Sequence, residues 1–154
     1  MKYFDYDAPT SGSMETEQLA VFEGISADEW QGVIQKAQTL EFSAGDLLLQ
    51  AGETDDAVYI LISGQVEVFS ANSFGFNKRI AVIDEGSVYG ELAFFDSKPR
   101  SASIRATRDG QVLRLSRKGF EEIAAWNPRL AQQFLFDLGR ILAHRFRSEL
   151  PYKI

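Results

Sequence analysis

The pattern of hydrophobic and polar positions changes character twice along the chain and divides it into three parts. In the first part, residues 15–40, apolar side chains recur at helical spacing. Ser26, followed three positions later by Glu29, matches a capping box for a helix that begins at Ala27. The pattern therefore predicts two short helices separated by Gly24.

The middle part, from Leu40 to Ser116, consists of short runs rich in β-branched and aromatic residues that are separated by turn residues. Short strands at regular spacing predict a β-sandwich or a barrel, and we expect about eight strands here. Ser63–Gly64 is short enough to form a tight hairpin turn. The predicted strand runs are Leu47–Gln50, Val58–Ser63, Gln65–Ser70, Arg79–Ile83, Ala102–Ala106 and Val112–Ser116.

The helical pattern returns in the last part of the chain. Phe120 and Ile123 with Trp126 predict one short helix. Asn127–Pro128 then supplies an N-cap and a proline at the first helical position, where its missing N–H costs nothing. The second helix is expected to end before Pro151. Its apolar stripe consists of Leu130, Phe134, Leu138, Ile141, Leu142 and Phe146.

Length and composition indicate one domain. The chain has 154 residues, of which 45% are hydrophobic and 25% charged, as is typical of a soluble globular protein. We expect a flexible segment at residues 1–14 and a single domain at residues 15–154, with a barrel at about 40–116 and C-terminal helices at about 117–150. Neither a membrane-spanning apolar run nor a signal-peptide core is present, so we expect a cytoplasmic location and no membrane partner.

The residue inventory argues against catalysis and metal binding. The chain has no cysteine, and His144 is its single histidine, which excludes thiolate sites and multi-histidine metal centres. A Ser/His/Asp set cannot be assembled around one histidine on a helix. We therefore expect neither an enzyme nor a bound cofactor.

The net charge of −6 argues against a surface built to neutralise many phosphates, so no nucleic-acid partner is expected. The charge is unevenly distributed, however. Residues 1–100 carry 17 acidic and 6 basic side chains, whereas residues 101–154 carry 10 basic and 5 acidic ones. Either a basic C-terminal helix leans on an acidic body, or the C-terminal third faces an anion, which would be a ligand or a partner surface.

One segment of the middle part, residues 89–103, does not fit a strand. Gly90 and Pro99 bracket Glu91–Phe95, which is long enough for one helical turn. The free N–H groups of such a turn form an anion site with the positive end of its dipole, and Arg100 is a two-pronged donor to the same anion. Because the glutamate would repel a bare anion, it points to a ligand that also offers hydroxyls. An anion joined to a sugar hydroxyl indicates a nucleotide.

The run GELAFFDSKPRSAS, residues 90–103, resembles the phosphate-binding cassette of the cyclic nucleotide-binding domain family. The segments Phe42–Asp46 and Gln50–Val66 also resemble the early strands of that family, and the resemblance extends over about residues 19–150. It implies a mainly β fold, an eight-stranded jelly-roll barrel (a double-stranded β-helix) flanked by N- and C-terminal helices.

The resemblance also implies roles for seven cassette residues: Gly90, Glu91, Leu92, Ala93, Arg100, Ser101 and Ala102. The glycine lets the backbone approach the sugar, and the glutamate accepts a hydrogen bond from the ribose 2′-hydroxyl. Leu92 and Ala93 present their amides to the cyclic phosphate. Arg100 pairs with an exocyclic phosphate oxygen, and Ser101 or Ala102 adds local donors.

In the same family the C-terminal helix covers the purine, which makes Arg140, Ile141 and Arg145 candidates for contact with the base. The alternative for each arginine is an ordinary solvated side chain. Cyclic AMP is the expected ligand. Cyclic GMP stays possible, because some members prefer it when threonine follows the arginine, and Ser101 occupies that position here.

The resemblance implies a sensor in which ligand binding shifts the C-terminal helix and signals to a partner protein of unknown identity. The apolar stripe of that helix also favours a homodimer. The alternative is a structural or dimerisation module that keeps the same fold and no longer binds a ligand.

Overall fold

The computed structural model describes residues 19–71 and 77–149. Within them, six strands and four helices follow one another along the chain. They are α1 (Ala27–Gln35), β1 (Gln38–Phe42), β2 (Leu47–Leu49), β3 (Val58–Ala71), β4 (Asn77–Ile83), β5 (Val88–Tyr89), α2 (Glu91–Asp96), β6 (Ser103–Leu115), α3 (Arg117–Trp126) and α4 (Pro128–Glu149). The predicted flexible segment at residues 1–14 lies outside the described residues.

The capping residues predicted for two of the helices are confirmed. Ser26 Oγ accepts a hydrogen bond from the Glu29 N–H at 3.1 Å, and Glu29 Oε1 accepts one from the Ser26 N–H at 3.0 Å, so the capping box before α1 is complete. Asn127 Oδ1 accepts from the Leu130 N–H at 3.2 Å and caps α4. Each cap depends on residues close in sequence, which is why the pattern predicts it well.

A second N-terminal helix before Gly24 is not found in the described residues, where residues 19–26 form no helix. Phe22 and Gly24 both adopt left-handed backbone conformations, with φ of +58° and +77°, and this interrupts helical geometry. The Phe22 N–H instead donates to Asp137 Oδ2 at 3.0 Å. The segment is thus held by α4 rather than by its own helical hydrogen bonds.

The strands form one antiparallel sheet in the order β1-β6-β3-β4, with β2 paired to β6 and β5 paired to β3. The described residues contain six strands, so the expected count of about eight is not confirmed. The two long strands β3 and β6 each join two predicted runs. Each long strand pairs with different neighbours at its two ends, as β3 does with β5 near Tyr59 and with β4 from Val66 onward.

The hairpin turn predicted at Ser63–Gly64 is wrong, because β3 continues through it with shifts in pairing register. Gly64 has φ of +90°, and a Cβ there would lie 2.6 Å from the Asp109 carbonyl oxygen. A Cβ on Gly110, in β6, would collide with the Ser63 carbonyl oxygen. These glycines therefore permit a close, irregular crossing of two strands and do not mark a chain reversal.

Alternation along the long strands supplies two hydrophobic clusters, one on each face of the sheet. Val58 and Ile60 of β3 pack with the helices, whereas Tyr59 and Leu61 point to the other face. The helix-facing cluster includes the fully buried stripe of α4, which is Leu130, Phe134, Leu138 and Ile141. The predicted stripe on the last helix is thus core along this part of its length. No described helix is both long enough and apolar enough to cross a bilayer.

Candidate functional site

A cavity of about 720 Å³ opens between the sheet, α2 with the loop that follows it, and the C-terminal half of α4. Its volume is within the range of small-molecule sites. Its lining combines charged side chains with apolar residues of strands and helix. The charged residues are Glu91, Asp96, Lys98, Arg100 and Arg145, and the apolar ones include Leu49, Val68, Ile80, Leu142 and Phe146. Such a cavity suits a ligand that has both a charged part and an apolar part.

Gly90 forms the corner between β5 and α2. Its φ is +78°, a conformation that favours glycine, and a Cβ there would lie 2.8 Å from Arg100 Nη1 and 3.3 Å from Tyr59 Cδ1. The predicted single turn of helix is confirmed as α2, and it ends where Ser97 adopts a left-handed conformation and donates its N–H to the Ala93 carbonyl at 2.8 Å. Glycine is therefore required here both by conformation and by space.

Arg100 is buried beside this corner, with 6% of its surface exposed. Its Nη1 donates to the Gly90 carbonyl at 2.7 Å, and its Nη2 donates to the Ala57 carbonyl at 2.8 Å and to Asp55 Oδ2 at 3.2 Å. Its Nε is also buried but has no hydrogen-bond partner among the described residues. The guanidinium is thus held in place by three hydrogen bonds while its buried Nε donor is left unused.

Asp55 is the carboxylate that orients Arg100. Its carboxylate also accepts from Tyr59 Oη at 2.9 Å and from Arg114 Nη2 at 2.6 Å. Burial by itself would raise the pKa of Asp55, but these hydrogen bonds and the charges of Arg114 and Arg100 hold the pKa below its usual value. The carboxylate is therefore ionised at neutral pH and orients two arginines at once.

Glu91, the first residue of α2, is buried and faces α4. Arg145 Nη1 donates to Glu91 Oε1 at 2.7 Å, and Arg145 Nη2 donates to the Val88 carbonyl at 2.9 Å and to Ser87 Oγ at 3.3 Å. The side chains of Arg145 and Glu91 are only 13% and 11% exposed. The ion pair joins α4 to the helical turn that lines the cavity.

The structure brings eight of the ten predicted site residues to this cavity. They are Gly90, Glu91, Leu92, Ala93, Arg100, Ser101, Ala102 and Arg145. Seven are contiguous or nearly so in the cassette, and Arg145 arrives from α4. The single predicted helical turn and the residues around it thus form one wall.

The other two predicted residues, Arg140 and Ile141, do not line the cavity. Arg140 Nη2 donates to the Ala20 carbonyl at 3.2 Å and to Asp137 Oδ1 at 3.3 Å, so this side chain lies against the N-terminal segment. Ile141 is fully buried in the helix-facing core. The helical period places Arg140 on the side of α4 opposite Leu142, Arg145 and Phe146, whereas Ile141 lies at the edge of that face and is covered by the core.

Several lining or supporting residues were not among the predicted site residues. Leu142 and Phe146 complete the α4 wall, and both had been counted only in its apolar stripe. Tyr89 lines the cavity from β5, and Asp55 orients Arg100. The sequence signal for Leu142 and Phe146 is their position on the same helix face as Arg145, three residues before it and one residue after it. No local pattern pairs residue 55 with residue 100.

The face of α2 opposite the cavity packs into an aromatic cluster. Phe94, which is 1% exposed, meets the rings of Phe120 and Phe134 edge-on at centroid distances of 5.6 and 6.2 Å. Arg117 Nη1 also donates to the Phe94 carbonyl at 3.2 Å. Because these rings are packed against one another, a displacement of α2 would require α3 and α4 to shift or repack.

Comparison with known proteins identifies the family. Residues 39–127 match the model of the cyclic nucleotide-binding domain. The chain belongs to the cyclic nucleotide-binding domain family. The matched stretch contains every strand from β2 to β6, the whole of the polar cavity wall formed by α2 and its loop, and α3. The resemblance inferred from the cassette is confirmed, and the family is a regulatory ligand-binding one.

Two curated relatives share this domain. The cAMP-dependent protein kinase regulatory subunit of Emericella nidulans is 32% identical over 107 residues, covering 70% of this chain and 25% of the relative. The CRP-like cAMP-activated global transcriptional regulator of Mycobacterium tuberculosis is 26% identical over 130 residues, covering 84% of this chain and 56% of the relative. The chain thus spans between a quarter and about half of the length of these proteins.

The fold of this cyclic nucleotide-binding domain also matches solved structures. A cyclic nucleotide-binding domain from Methylobacillus flagellatus superimposes with a TM-score of 0.73 at 27% identity, covering 83% of this chain and 72% of the other. The antiparallel sheet with flanking helices is accordingly the family's jelly-roll architecture.

Proposed function

We propose that this domain is a sensor that binds cyclic AMP in preference to cyclic GMP. The observation that carries the ligand class is Arg100, which lines the cavity and has a buried Nε without a hydrogen-bond partner among the described residues. A buried donor left unsatisfied costs free energy, and an anionic acceptor in the cavity removes that cost. An exocyclic oxygen of a cyclic phosphate fits this donor.

The sugar and phosphate are assigned to the cassette residues. Glu91 Oε1 is engaged by Arg145, and its second oxygen, Oε2, is proposed to accept from the ribose 2′-hydroxyl. Leu92 and Ala93, at the start of α2, are proposed to turn their amides to the phosphate, and Ser101 with Ala102 is proposed to close the other side. All of these residues line the cavity.

The base is assigned to the apolar residues of the lining. Leu142, Phe146 and Val68 are among them, and their side chains offer no polar group to a guanine carbonyl or amino group. Burying those guanine groups without partners costs affinity, which favours adenine. Arg145 stands between the sugar and the base, where its guanidinium can also lie on the purine face.

The signal is proposed to pass through α4. A ligand that touches both α2 and the α4 residues Leu142 and Phe146 binds better when the helix is closed over the cavity, so binding shifts the population toward that arrangement. The output is proposed to be a change in the affinity for a partner protein.

Calorimetric titration with cyclic AMP, cyclic GMP and linear 5′-AMP tests the proposal. We expect saturable binding of cyclic AMP, weaker binding of cyclic GMP, and at least tenfold weaker binding of cyclic AMP to Arg100→Ala, which corresponds to about 1.4 kcal/mol. Arg105→Ala is the matched control, because this half-exposed arginine belongs to β6 and does not line the cavity. No heat with either cyclic nucleotide would refute the proposal.

A second candidate is a dimerisation module that no longer binds a ligand. The exposed surface of α4 carries Phe136 and Phe146, which are 75% and 57% exposed, with Gly139 and Ala143 between them. Their spacing of three and four residues forms a heptad-like seam (Phe136, Gly139, Ala143 and Phe146), which suits a second copy of the same helix. A homodimer is compatible with both candidates, and the titration above separates them.

A further inference from the structure

Tyr89 has a hydroxyl that the fold does not use. The residue ends β5 immediately before Gly90, lines the cavity and is 2% exposed. Its Oη is buried and has no hydrogen-bond partner among the described residues. Most buried polar side-chain atoms in proteins do have a partner, so each exception needs an explanation.

The ring of Tyr89 is fixed, so the hydroxyl cannot rotate out of the interior to find a protein acceptor. Tyr89 and Tyr59 are direct cross-strand partners in β5 and β3, and their rings stack at 5.0 Å with an interplanar angle of 3°. The two hydroxyls differ in their surroundings. Tyr59 donates to Asp55 Oδ2 at 2.9 Å, whereas Tyr89 does not.

Tyr89 and Arg100 both line the cavity, and each has one buried polar atom without a hydrogen-bond partner among the described residues. A Cβ on Gly90 would lie between the Arg100 guanidinium and the Tyr59 ring, which places that corner, the arginine and the stacked tyrosine pair together. Burial raises the pKa of Tyr89 well above the usual tyrosine range, although the Arg100 charge acts in the opposite direction. The hydroxyl therefore keeps its proton at neutral pH and is available to donate.

We infer that the Tyr89 hydroxyl is a second hydrogen-bond donor to the phosphate of the bound cyclic nucleotide, in addition to Arg100 Nε. The inference rests on the proposed function and adds a residue to it. A neutral donor supplies a directional contact without a further charge. The unsatisfied hydroxyl is then a stability cost that is removed when the ligand binds.

The test is Tyr89→Phe, which removes one oxygen and keeps the ring. We expect the cyclic AMP dissociation constant to rise about five- to tenfold by calorimetry. We expect the melting temperature without ligand to stay the same or to rise, because the unsatisfied hydroxyl is gone. Tyr59→Phe is the matched control for stability, and it should lower the melting temperature, because that hydroxyl is bonded to Asp55.

Phosphorothioate analogues of cyclic AMP locate the contact. Sulfur is a poorer hydrogen-bond acceptor than oxygen. The loss of affinity caused by Tyr89→Phe should therefore be smaller for the diastereomer whose sulfur replaces the accepting oxygen. In the wild-type protein with ¹³Cζ-labelled tyrosine, the Tyr89 resonance should shift when cyclic AMP is added, and this readout needs no variant.

The outcomes separate this inference from the proposed function. If the wild type binds cyclic AMP and Tyr89→Phe binds it equally well, the inference is wrong and the proposed function stands. The same holds if Tyr89→Phe lowers the melting temperature as much as Tyr59→Phe does, or if the labelled resonance does not move. If the wild type binds no cyclic nucleotide, both are overturned.

Discussion

Arg145 and Glu91 form an ion pair at 2.7 Å across 54 residues of sequence, between the C-terminal half of α4 and the first residue of α2. The pair bridges the two elements between which the cavity opens. Glu91 is also the proposed acceptor for the ribose. Under the proposed function, this carboxylate would hold α4 and bind the ligand, which would link ligand binding to the position of the helix through one side chain.

Replacing Arg145 should destabilise the domain. Arg145→Gln leaves the buried Glu91 carboxylate without its cation, and we expect the free energy of unfolding in urea to fall by about 3 kcal/mol. Arg129→Gln is the control, because Arg129 is also on α4 and pairs with Glu29 at 3.2 Å but is 74% exposed. That exposed pair should contribute much less to stability than the buried one, because solvent screens it. Equal losses for the two variants would contradict the importance of the buried pair.

Glu91 is expected to recognise the ribose through its charge. Glu91→Gln keeps the shape of the side chain, and we expect cyclic AMP to bind at least tenfold more weakly, since charge-assisted hydrogen bonds contribute roughly 1.5–3 kcal/mol. For 2′-deoxy cyclic AMP the wild type and the variant should bind about equally, because the donor is missing from the ligand. The measurement is calorimetry, and a similar loss for both ligands would show that Glu91 acts only on the fold.

Asp55 is expected to contribute to stability in a pH-dependent way. Its folded-state pKa lies below the ordinary value of 3.8, so folding favours its ionised form. Its contribution is present above that ordinary value and is lost as the pH falls through the lower, folded pKa. Asp55→Asn should therefore lower stability at neutral pH and weaken the dependence on pH in the acid range, as measured by urea unfolding between about pH 2 and pH 6.

The neighbouring carboxylate serves as a control for this pH experiment. Asp56 Oδ1 accepts one long hydrogen bond, of 3.5 Å, from the Arg117 N–H, and it does not contact Arg100 in the described residues. Asp56→Asn should lower the free energy of unfolding at neutral pH by less than Asp55→Asn does. If both variants lowered it alike, the hydrogen bonds of Asp55 to the two arginines would not be the source of the Asp55 effect.

Gly90 is expected to tolerate no side chain. Gly90→Ala places a Cβ 2.8 Å from Arg100 Nη1 at a φ of +78°, so we expect a lower melting temperature and a loss of cyclic AMP binding as the arginine is displaced. Gly139→Ala is the opposite case, because Gly139 lies within α4 with nothing inside 4 Å of its added Cβ. There the free energy of unfolding should rise by about 0.5–1 kcal/mol in the monomer.

The proposed homodimer can be tested on the seam of α4. Phe136→Glu puts a charge at the most exposed large apolar residue of that helix, and we expect sedimentation velocity to show a monomer where the wild type is a dimer. Leu47→Glu is the control, because Leu47 is 52% exposed on β2, away from α4. A monomeric wild type, or a dimer that survives the Phe136 change, would argue against this interface.

Local signals in the sequence predicted the features that depend on neighbouring residues. The capping box at Ser26 and Glu29, the Asn127 cap and the short helix after Gly90 are each determined by a few consecutive positions, and all three are found. The cassette was recognisable for the same reason. Its functional groups lie within fourteen consecutive residues, so composition and spacing could indicate a nucleotide phosphate site before any fold was known.

Tertiary structure decided the rest, because it depends on contacts between segments that are distant in sequence. In the sequence, Gly64 and Gly110 resemble turn residues. Only the close approach of β3 and β6 at these two glycines shows that each strand continues through its glycine. Likewise, the sequence alone does not distinguish Arg140 from Arg145, because both are arginines on one basic helix. Packing of α4 against Ala20 and Asp137 on one side and against Glu91 on the other selects which arginine meets the cavity.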